Sequence, residues 1–384
     1  MHYHKEGEIP HKRHTQFRKP DGTLYHEELF STEGFHDRYS ILYHLYPPTR
    51  ILQVGTPEYV APQIANTPEL KPRCLQGFDV TPEKDYLKSR KTVLFNSDCR
   101  ISLAAPETSM EDYFYKNADS DEILFIHRGE GYVDTMYGRL EFKYGDYIVI
   151  PRGTIYQIHF NGSDNRLLVV EATAPVTTPP RYRSEYGQFM EHSPFCERDI
   201  VKPVLQTAID SKVNSRFYIK KKDYLYPYEY QGHPFDVVGW DGFHYPYIFS
   251  IHDYEPITGR IHMPPPIHQT FQSAGFVICS FVPRLFDYHP LSIPAPYHHS
   301  NVDSDEILYY VDGDFMSRKH VEHGMITIHP GGIPHGPHPG TIERSIGAKE
   351  TKELAVMIDT FKPLHLTAEA LAVELPEYYR SWLE

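Results

Sequence analysis

Short apolar and aromatic runs recur along most of the chain, separated by prolines, glycines and small polar residues. The run EILYYV at 306–311 is an example, and its length and aromatic content are typical of a buried strand. The interruptions come about every 8–12 residues, which is the spacing of strands in sandwiches and barrels. With 33 prolines and 24 glycines available for the turns, the pattern predicts an all-β protein.

Helical periodicity appears mainly at the C-terminal end. Thr367 is a suitable N-cap residue for a short amphipathic segment. Pro376 is expected to break that segment into two pieces. One face of the segment carries four apolar or aromatic residues, namely Leu371, Leu375, Tyr378 and Trp382.

The sequence also contains an internal repeat. NADSDEIL at 117–124 matches NVDSDEIL at 301–308, and Gly129 and Gly313 follow the two glutamates at the same interval. Segments 145–153 and 324–332 correspond as well. Repeated segments of this kind indicate two copies of one fold. At 384 residues, the chain is long enough for two domains. We place an N-terminal half at 1–190 and a C-terminal half at 200–384, with a proline-rich linker at 172–180.

The second copy carries candidate metal ligands. His299 precedes Glu306 by seven positions, and His335 ends a P-x-G-x-x-H segment whose glycines favour a turn back towards the other two. Two histidines and one carboxylate hold one face of an octahedral ion and leave the other face open, as in non-haem Fe(II) oxygenases. These three residues are therefore the predicted metal site.

The first copy lacks this chemistry. Tyr115 and Tyr156 occupy the positions of the two histidines, and Glu122 alone cannot hold an ion. We therefore expect the N-terminal half to be metal-free and structural.

Charge and cysteine content exclude several classes of protein. The net charge of −13 argues against a nucleic-acid binder, which needs a basic face. The four cysteines form no C-x-x-C pair, so they predict reduced thiols and neither a zinc ribbon nor a disulfide framework. We find no signal segment and no apolar run long enough for a transmembrane helix, and we expect a cytoplasmic protein.

Taken together, these motifs resemble the homogentisate 1,2-dioxygenase family in its shorter bacterial form. The resemblance covers most of the chain and includes DVVGWDG at 236–242, H-S-N…E at 299–306 and PHGP at 334–337. It implies a double cupin, in which two β-barrel or jelly-roll halves share one chain and only the second holds Fe(II). It also implies a ring-cleaving dioxygenase that uses O2 to convert homogentisate to maleylacetoacetate in tyrosine and phenylalanine catabolism, and a homo-oligomer.

Two departures from the family pattern bear on the remaining site residues. Asp241 stands where the family has a histidine thought to act on the substrate hydroxyl, and one extra residue separates His299 from Glu306. Asp241 and His329 are therefore the candidate acid–base residues, although a turn-making aspartate and a core histidine are the competing interpretations. Asn301 and His298 are candidate substrate-binding residues. Asn301 can alternatively serve the turn, and strand alternation directs His298 away from His299.

Two alternative functions remain open on the sequence. The first is a cupin dioxygenase that acts on a different hydroxylated aromatic acid, a possibility raised by Asp241. The second is a non-redox metal cupin, either an isomerase or a sugar-binding protein, because the cupin fold hosts several unrelated functions.

Overall fold

Strands dominate the structure, a computed structural model that describes residues 2–315 and 321–383. In chain order the first strands are β1 (His4–Gly7), β2 (His26–Ser31), β3 (Tyr39–His44), β4 (Ile51–Val54), β5 (Glu58–Tyr59), β6 (Arg73–Gln76), β7 (Arg90–Phe95), β8 (Cys99–Ala104), β9 (Phe114–Asn117), β10 (Asp121–Arg128), β11 (Gly131–Thr135), β12 (Gly138–Phe142), β13 (Asp146–Ile150), β14 (Tyr156–Phe160) and β15 (Arg166–Ala172). The later strands are β16 (Ile200–Val201), β17 (Asn214–Lys221), β18 (Tyr224–Gln231), β19 (Val237–Gly242), β20 (Tyr247–Ser250), β21 (Gln269–Ser273), β22 (Phe276–Phe281), β23 (Arg284–Leu285), β24 (Asp305–Asp312), β25 (Met325–His329), β26 (Glu350–Thr351), β27 (Leu354–Thr360) and β28 (His365–Leu366).

Helices are short and few among the described residues. The α-helices are α1 (Tyr86–Ser89), α2 (Thr341–Ser345) and α3 (Ala368–Ala372). The 3₁₀ turns cover Glu33–Phe35, Gly77–Asp79, Pro180–Tyr182, Glu197–Asp199, Ile251–Asp253, Pro265–His268 and Tyr378–Leu383. None of the helices in residues 2–315 and 321–383 combines the length and the apolar character that crossing a membrane requires.

The two copies of the sequence repeat form two sheets with the same strand order. In the first copy the order is β13-β10-β15-β8-β7, and in the second it is β25-β24-β27-β22-β21. The prediction of an all-β double cupin is therefore confirmed. The predicted C-terminal helical segment is confirmed as well, because the Thr367 side chain caps α3 and the 3₁₀ turn Tyr378–Leu383 follows Pro376.

The turns of the two copies agree in detail. Their glycines adopt the same left-handed conformation in pairs, for example Gly145 at φ 87° with Gly324 at φ 81°. Asp121 accepts a backbone hydrogen bond from Arg152 at 3.0 Å, and Asp305 accepts one from Gly331 at 2.7 Å. Glycine adopts positive φ without a Cβ clash, so these matched turns fix the same strand geometry twice.

The two sheets also exchange strands. From the second half of the chain, β20 pairs with β13, and from the first half β6 pairs with β25. The third strand of this kind is β28, which pairs with β7. The predicted linker follows β15, and Thr177 within it pairs with Gln272 of β21. The division into 1–190 and 200–384 stays a prediction, and each of these sheets is completed by the other half.

The main core lies between the sheet that contains β10 and the sheet that contains β24. The His127 ring contacts the Tyr309 hydroxyl at 2.6 Å, and the Tyr147 hydroxyl lies 2.9 Å from Ser280 Oγ. Both tyrosines are fully buried, so their hydroxyls require these partners. All four cysteines are free, as predicted.

Candidate metal centre

Strand pairing brings the three predicted ligands together. Glu306 is the second residue of β24 and lies opposite His329 of β25 and Asp359 of β27. His299 and His335 face each other in an isolated bridge, with reciprocal backbone hydrogen bonds of 2.8 and 2.9 Å. The bridge ties the segment before β24 to the segment after β25, so the ligands are fixed by the backbone.

The ligand atoms converge on one point. One atom from each of His299, Glu306 and His335 lies within 4.8 Å of the others. His299 Nε2 lies 3.3 Å from Glu306 Oε2, and His335 Nε2 lies 3.4 Å from Glu306 Oε1. Adjacent ligands of an octahedral ion with bonds of roughly 2.1 Å are about 3 Å apart, so a small shift would close this geometry around an ion.

The second ring nitrogen of each histidine indicates which nitrogen faces the ion. His299 Nδ1 lies 3.3 Å from the Tyr297 carbonyl, and His335 Nδ1 lies 3.0 Å from the Ile333 carbonyl. A carbonyl only accepts, so both Nδ1 atoms donate and both Nε2 atoms carry lone pairs in the neutral rings. Buried His335 Nε2 makes no hydrogen bond to any described residue. Two lone pairs aimed at a carboxylate repel one another unless a cation lies between them, and the residues therefore fit a metal ion.

Glu306 supplies the negative charge of the centre. Burial by itself would raise the pKa of this carboxyl, but hydrogen bonding from histidine, with His329 as the donor, holds the pKa well below its usual range. The side chain is 7% exposed. A buried carboxylate of this kind requires a cation or several donors nearby.

His329 supports the centre as a third imidazole, beside those of His299 and His335. Its Nδ1 donates to Glu306 Oε1 at 3.0 Å, and its ring stacks on His335 with centroids 4.4 Å apart and planes 7° apart. The sequence placed His329 near the ligands, and the structure puts it in direct contact with two of them. Groups in this position orient metal ligands.

Asn301 and Asp359 lie beside the ligand cluster. The Asn301 carbonyl accepts a backbone hydrogen bond from Gly332 at 2.6 Å, and its Nδ2 lies 3.4 Å from Asp359 Oδ1. Burial and the charge of Glu306 raise the pKa of Asp359 to about 7. Sequence reasoning missed Asp359 because it stands in the apolar run LAVMIDTF. Its only signal is its alignment with Glu171 of the first copy.

His298 and Asp241 lie apart from the cluster. His298 is exposed and packs against Gly336, where an added Cβ would come within 2.8 Å of the His298 Cα. Asp241 is buried on β19, where Tyr3 donates to its Oδ2 at 2.9 Å and Arg13 Nε lies 3.8 Å away. Within residues 2–315 and 321–383, no hydrogen bond or ion pair joins Asp241 to the metal cluster.

The C-terminal segment packs behind the ligands. Trp382 Nε1 donates to the Gly336 carbonyl at 3.0 Å, next to His335. The His338 ring stacks on Trp382 at 4.3 Å, and its Nε2 contacts Ser381 Oγ at 2.7 Å. The amphipathic pattern predicted a buried face that includes Trp382, but it gave no indication that this face would contact the metal-binding segment.

The equivalent place in the first copy is filled by charged and phenolic side chains. Tyr156 donates to Glu122 Oε2 at 2.8 Å, and Tyr115 packs edge-on against Tyr156. Arg90 lies 2.8 Å from both Glu122 and Glu171, although only its contact with Glu171 has the angle of a hydrogen bond. No cluster of metal-ligand type is found here among the described residues. Tyr115 and Tyr156 thus occupy the predicted positions.

The fold and the two-histidine, one-carboxylate cluster define a cupin with a candidate metal site. Comparison with known proteins indicates the family within the cupins. Residues 85–251 match the family model for the N-terminal part of homogentisate 1,2-dioxygenase. The chain is 42% identical over 384 residues to a Saccharolobus solfataricus protein named "Putative dioxygenase SSO1533", covering 99% of this chain and 98% of that protein. It is 26% identical over 276 residues to the homogentisate 1,2-dioxygenase of Bradyrhizobium diazoefficiens, covering 68% of this chain and 60% of that enzyme.

Among solved structures, a cupin 2 conserved barrel domain protein from Leptotrichia buccalis is similar at 12% identity and a TM-score of 0.33. The aligned region covers 79% of this chain and 100% of the Leptotrichia chain. The chain belongs to the homogentisate 1,2-dioxygenase family, as its motifs predicted. The match to the family model over residues 85–251 supports this assignment, and the near full-length likeness to the Saccharolobus protein places the chain among dioxygenases.

Proposed function

We propose that this protein is an Fe(II)-dependent dioxygenase that opens the ring of homogentisate with O2 and forms maleylacetoacetate. The observation that carries the proposal is the cluster of His299, Glu306 and His335, within 4.8 Å of one another in a chain of this family. Three protein ligands on one face of an octahedral ion leave three positions for substrate and O2. Bound iron would supply the redox and Lewis-acid chemistry that joins an aromatic ring to O2.

The protein surrounds this chemistry asymmetrically. The His299 side chain is 32% exposed, whereas those of Glu306 and His335 are 7% and 1% exposed. Substrate therefore approaches from the side of His299, and the other two ligands are closed off from water. Burial on that side strengthens the electrostatic hold on the ion, because nearby water no longer screens it.

Protons and substrate are handled by the remaining candidates. His329 donates to Glu306 and fixes the orientation of that carboxylate, and it can exchange a proton next to the ion. Asn301 presents an amide at the edge of the cluster, and His298 lies exposed beside Gly336. Asp241 is the second acid–base candidate. If it takes part, Asp241→Asn lowers turnover while bound iron stays constant.

A second candidate function is ring cleavage of a different hydroxylated aromatic acid. Asp241, in place of the family histidine, favours it, since its partners are Tyr3 and Arg13 and not residues of the metal cluster. The identity to the Bradyrhizobium enzyme is also only 26%. This candidate keeps the iron and O2 and changes only the substrate.

The test is oxygen consumption by protein loaded anaerobically with Fe(II). We expect stoichiometric O2 uptake and a new near-ultraviolet absorbance when homogentisate is added, and neither in a Glu306→Gln variant. Gentisate and catechol serve as competing substrates. Faster turnover of gentisate or catechol than of homogentisate would favour the second candidate function, with a different aromatic substrate. No uptake with any of the three, together with stable Zn or Mn binding, would exclude the dioxygenase.

A further inference from the structure

A second cavity lies outside the metal centre. It has a volume of about 420 Å³, and residues of segment 176–187 line it together with Arg38 and Tyr247 of β20. None of its lining residues belongs to the metal cluster or to the groups that contact it.

The two arginines of this cavity have weak anionic partners. Arg183 donates to the Thr178 hydroxyl at 2.9 and 2.6 Å and to the Gly187 carbonyl at 3.0 Å, which are neutral acceptors. Arg38 has one long contact of 3.4 Å, from its Nε to the carboxylate of the adjacent Asp37. In the part of the chain that the structure describes, no carboxylate forms an ion pair with Arg183. Arg183 also lies over the Phe189 ring, 4.6 Å from its centroid, and both guanidinium groups keep N–H groups that could donate to a ligand.

The surroundings make these charges unusual. The chain carries a net charge of −13, so its average potential repels anions and any attraction must be local. Burial lowers the pKa of Arg183, nearby Tyr247 and Glu197 act against that shift, and the positive charge of Arg38 adds to it. Two guanidinium groups that influence each other across a concave surface, with hydrogen-bonding directions left free, form a receptor for an oxyanion.

The other lining residues indicate what kind of molecule the anionic group would belong to. Tyr247 is 3% exposed, and its hydroxyl makes no hydrogen bond to any described residue. Val176 and Pro180 add apolar surface to the lining. Glu185, also in the lining, would repel a ligand with several negative charges. The cavity thus combines apolar walls and a phenol hydroxyl with two cations and one opposing carboxylate, which suits a single anionic group on an apolar body.

We infer that this cavity is a second binding site, separate from the metal centre, for a small organic carboxylate. Its carboxylate binds between Arg38 and Arg183, and its apolar part lies against Tyr247, Val176 and Pro180.

Isothermal titration with benzoate, at constant ionic strength and on iron-loaded protein, tests the site. We expect binding that is weakened about tenfold or more in Arg183→Gln and in Arg38→Gln, since a lost charge-assisted hydrogen bond of about 1.5–3 kcal/mol corresponds to at least that factor. Arg181→Gln is the matched control. Arg181 is exposed and donates to the Pro266 carbonyl, outside the cavity lining, so this variant should bind as the wild type does.

Two further measurements separate this site from the metal centre and from a general anion site. His335→Ala should keep benzoate binding, because the metal centre is not involved, and loss of binding in that variant would overturn the inference. Inorganic phosphate should bind more weakly than benzoate, and tighter phosphate binding would overturn the assignment of an organic ligand. Absence of binding in the wild type, or unchanged affinity in both cavity variants with native circular dichroism, would also overturn it.

Discussion

The two copies of the cupin repeat have the same strand order, but they balance the charge of a buried glutamate in different ways. Glu122 and Glu306 occupy equivalent positions, and both are almost fully buried. In the first copy, Arg90 contacts Glu122 and Glu171, and Lys220 forms a second ion pair with Glu171. The cation is therefore part of the protein.

The described part of the second copy has no such internal cation. Within the described residues, the ion-pair partners of Glu306 are three histidines, and no arginine or lysine contacts it. Burying a carboxylate without a counter-charge is costly, and the lone pairs of His299 and His335 add to the repulsion. The two copies thus differ in two respects, which are the histidines in place of tyrosines and the absence, among the described residues, of an arginine or lysine beside the glutamate.

The largest expected effect separates the copies by their ligands. His335→Ala should reduce bound iron and dioxygenase turnover by more than about a hundredfold. Loss of a residue that only orients a metal ligand costs up to about a hundredfold, and loss of a ligand should cost more. Tyr156→Phe at the equivalent position should leave the iron content unchanged, because Arg90 remains beside Glu122. Elemental analysis and O2 uptake measure both. Full iron occupancy in His335→Ala would show that the ligands lie elsewhere.

The second prediction removes the internal cation. Arg90→Met should destabilise the fold by about 3–5 kcal/mol, because it leaves two buried carboxylates without their shared partner. Glu306→Gln in iron-free protein should cost less, since the amide oxygen of the glutamine can still accept the hydrogen bond from His329. Urea unfolding of both iron-free variants gives the comparison. Equal losses of stability would mean that Arg90 is not the counterpart of the metal ion.

The third prediction concerns pH. Burial alone would raise the pKa of Glu171, but Lys220 and Arg90 hold it below its ordinary value of 4.5. A carboxyl with a lowered folded-state pKa contributes stability that is fully present above the unfolded pKa and is lost as pH falls through the folded value. The stability gap between wild type and Lys220→Met should therefore be large at pH 7 and shrink at about pH 4 and below.

The metal centre should respond to acid in a different range, because its histidines must be neutral to bind an ion. On acidification, iron should leave before the charge network of the first copy fails. Iron retained after dialysis, and near-ultraviolet circular dichroism, follow the two events. Loss of tertiary structure before loss of iron would contradict this order.

The smallest effect concerns the C-terminal support that packs behind the metal ligands. Trp382→Phe removes the hydrogen bond to the Gly336 carbonyl and keeps an aromatic ring against His338. We expect a loss of about 1 kcal/mol in stability and a modest fall in iron affinity. Tyr379→Phe is the control, since Tyr379 is 36% exposed. An unchanged iron affinity in Trp382→Phe would assign the segment to general stability alone.

Much of this molecule was predictable from local patterns. The double cupin was predicted from the repeat, the matched glycines and the apolar run after Glu306. These features are local, because strand alternation and turn conformation are properties of a few neighbouring residues. The ligand set followed for the same reason, since all three ligands lie on two segments joined by one hairpin. Asp359 was missed because its role depends on a strand pairing that no short stretch of sequence encodes.

The sequence by itself determined the fold class, the metal triad and the replacement of its histidines by tyrosines in the first copy. Only the tertiary structure decided which cation replaces the metal ion there. It also decided that β20 joins the sheet of the first copy, that β6 joins the sheet of the second, and that Trp382 lies behind His335. The physical reason is distance along the chain. Ion pairs such as Arg90 with Glu171 and contacts such as Trp382 with Gly336 join segments far apart in sequence, and packing alone brings them together.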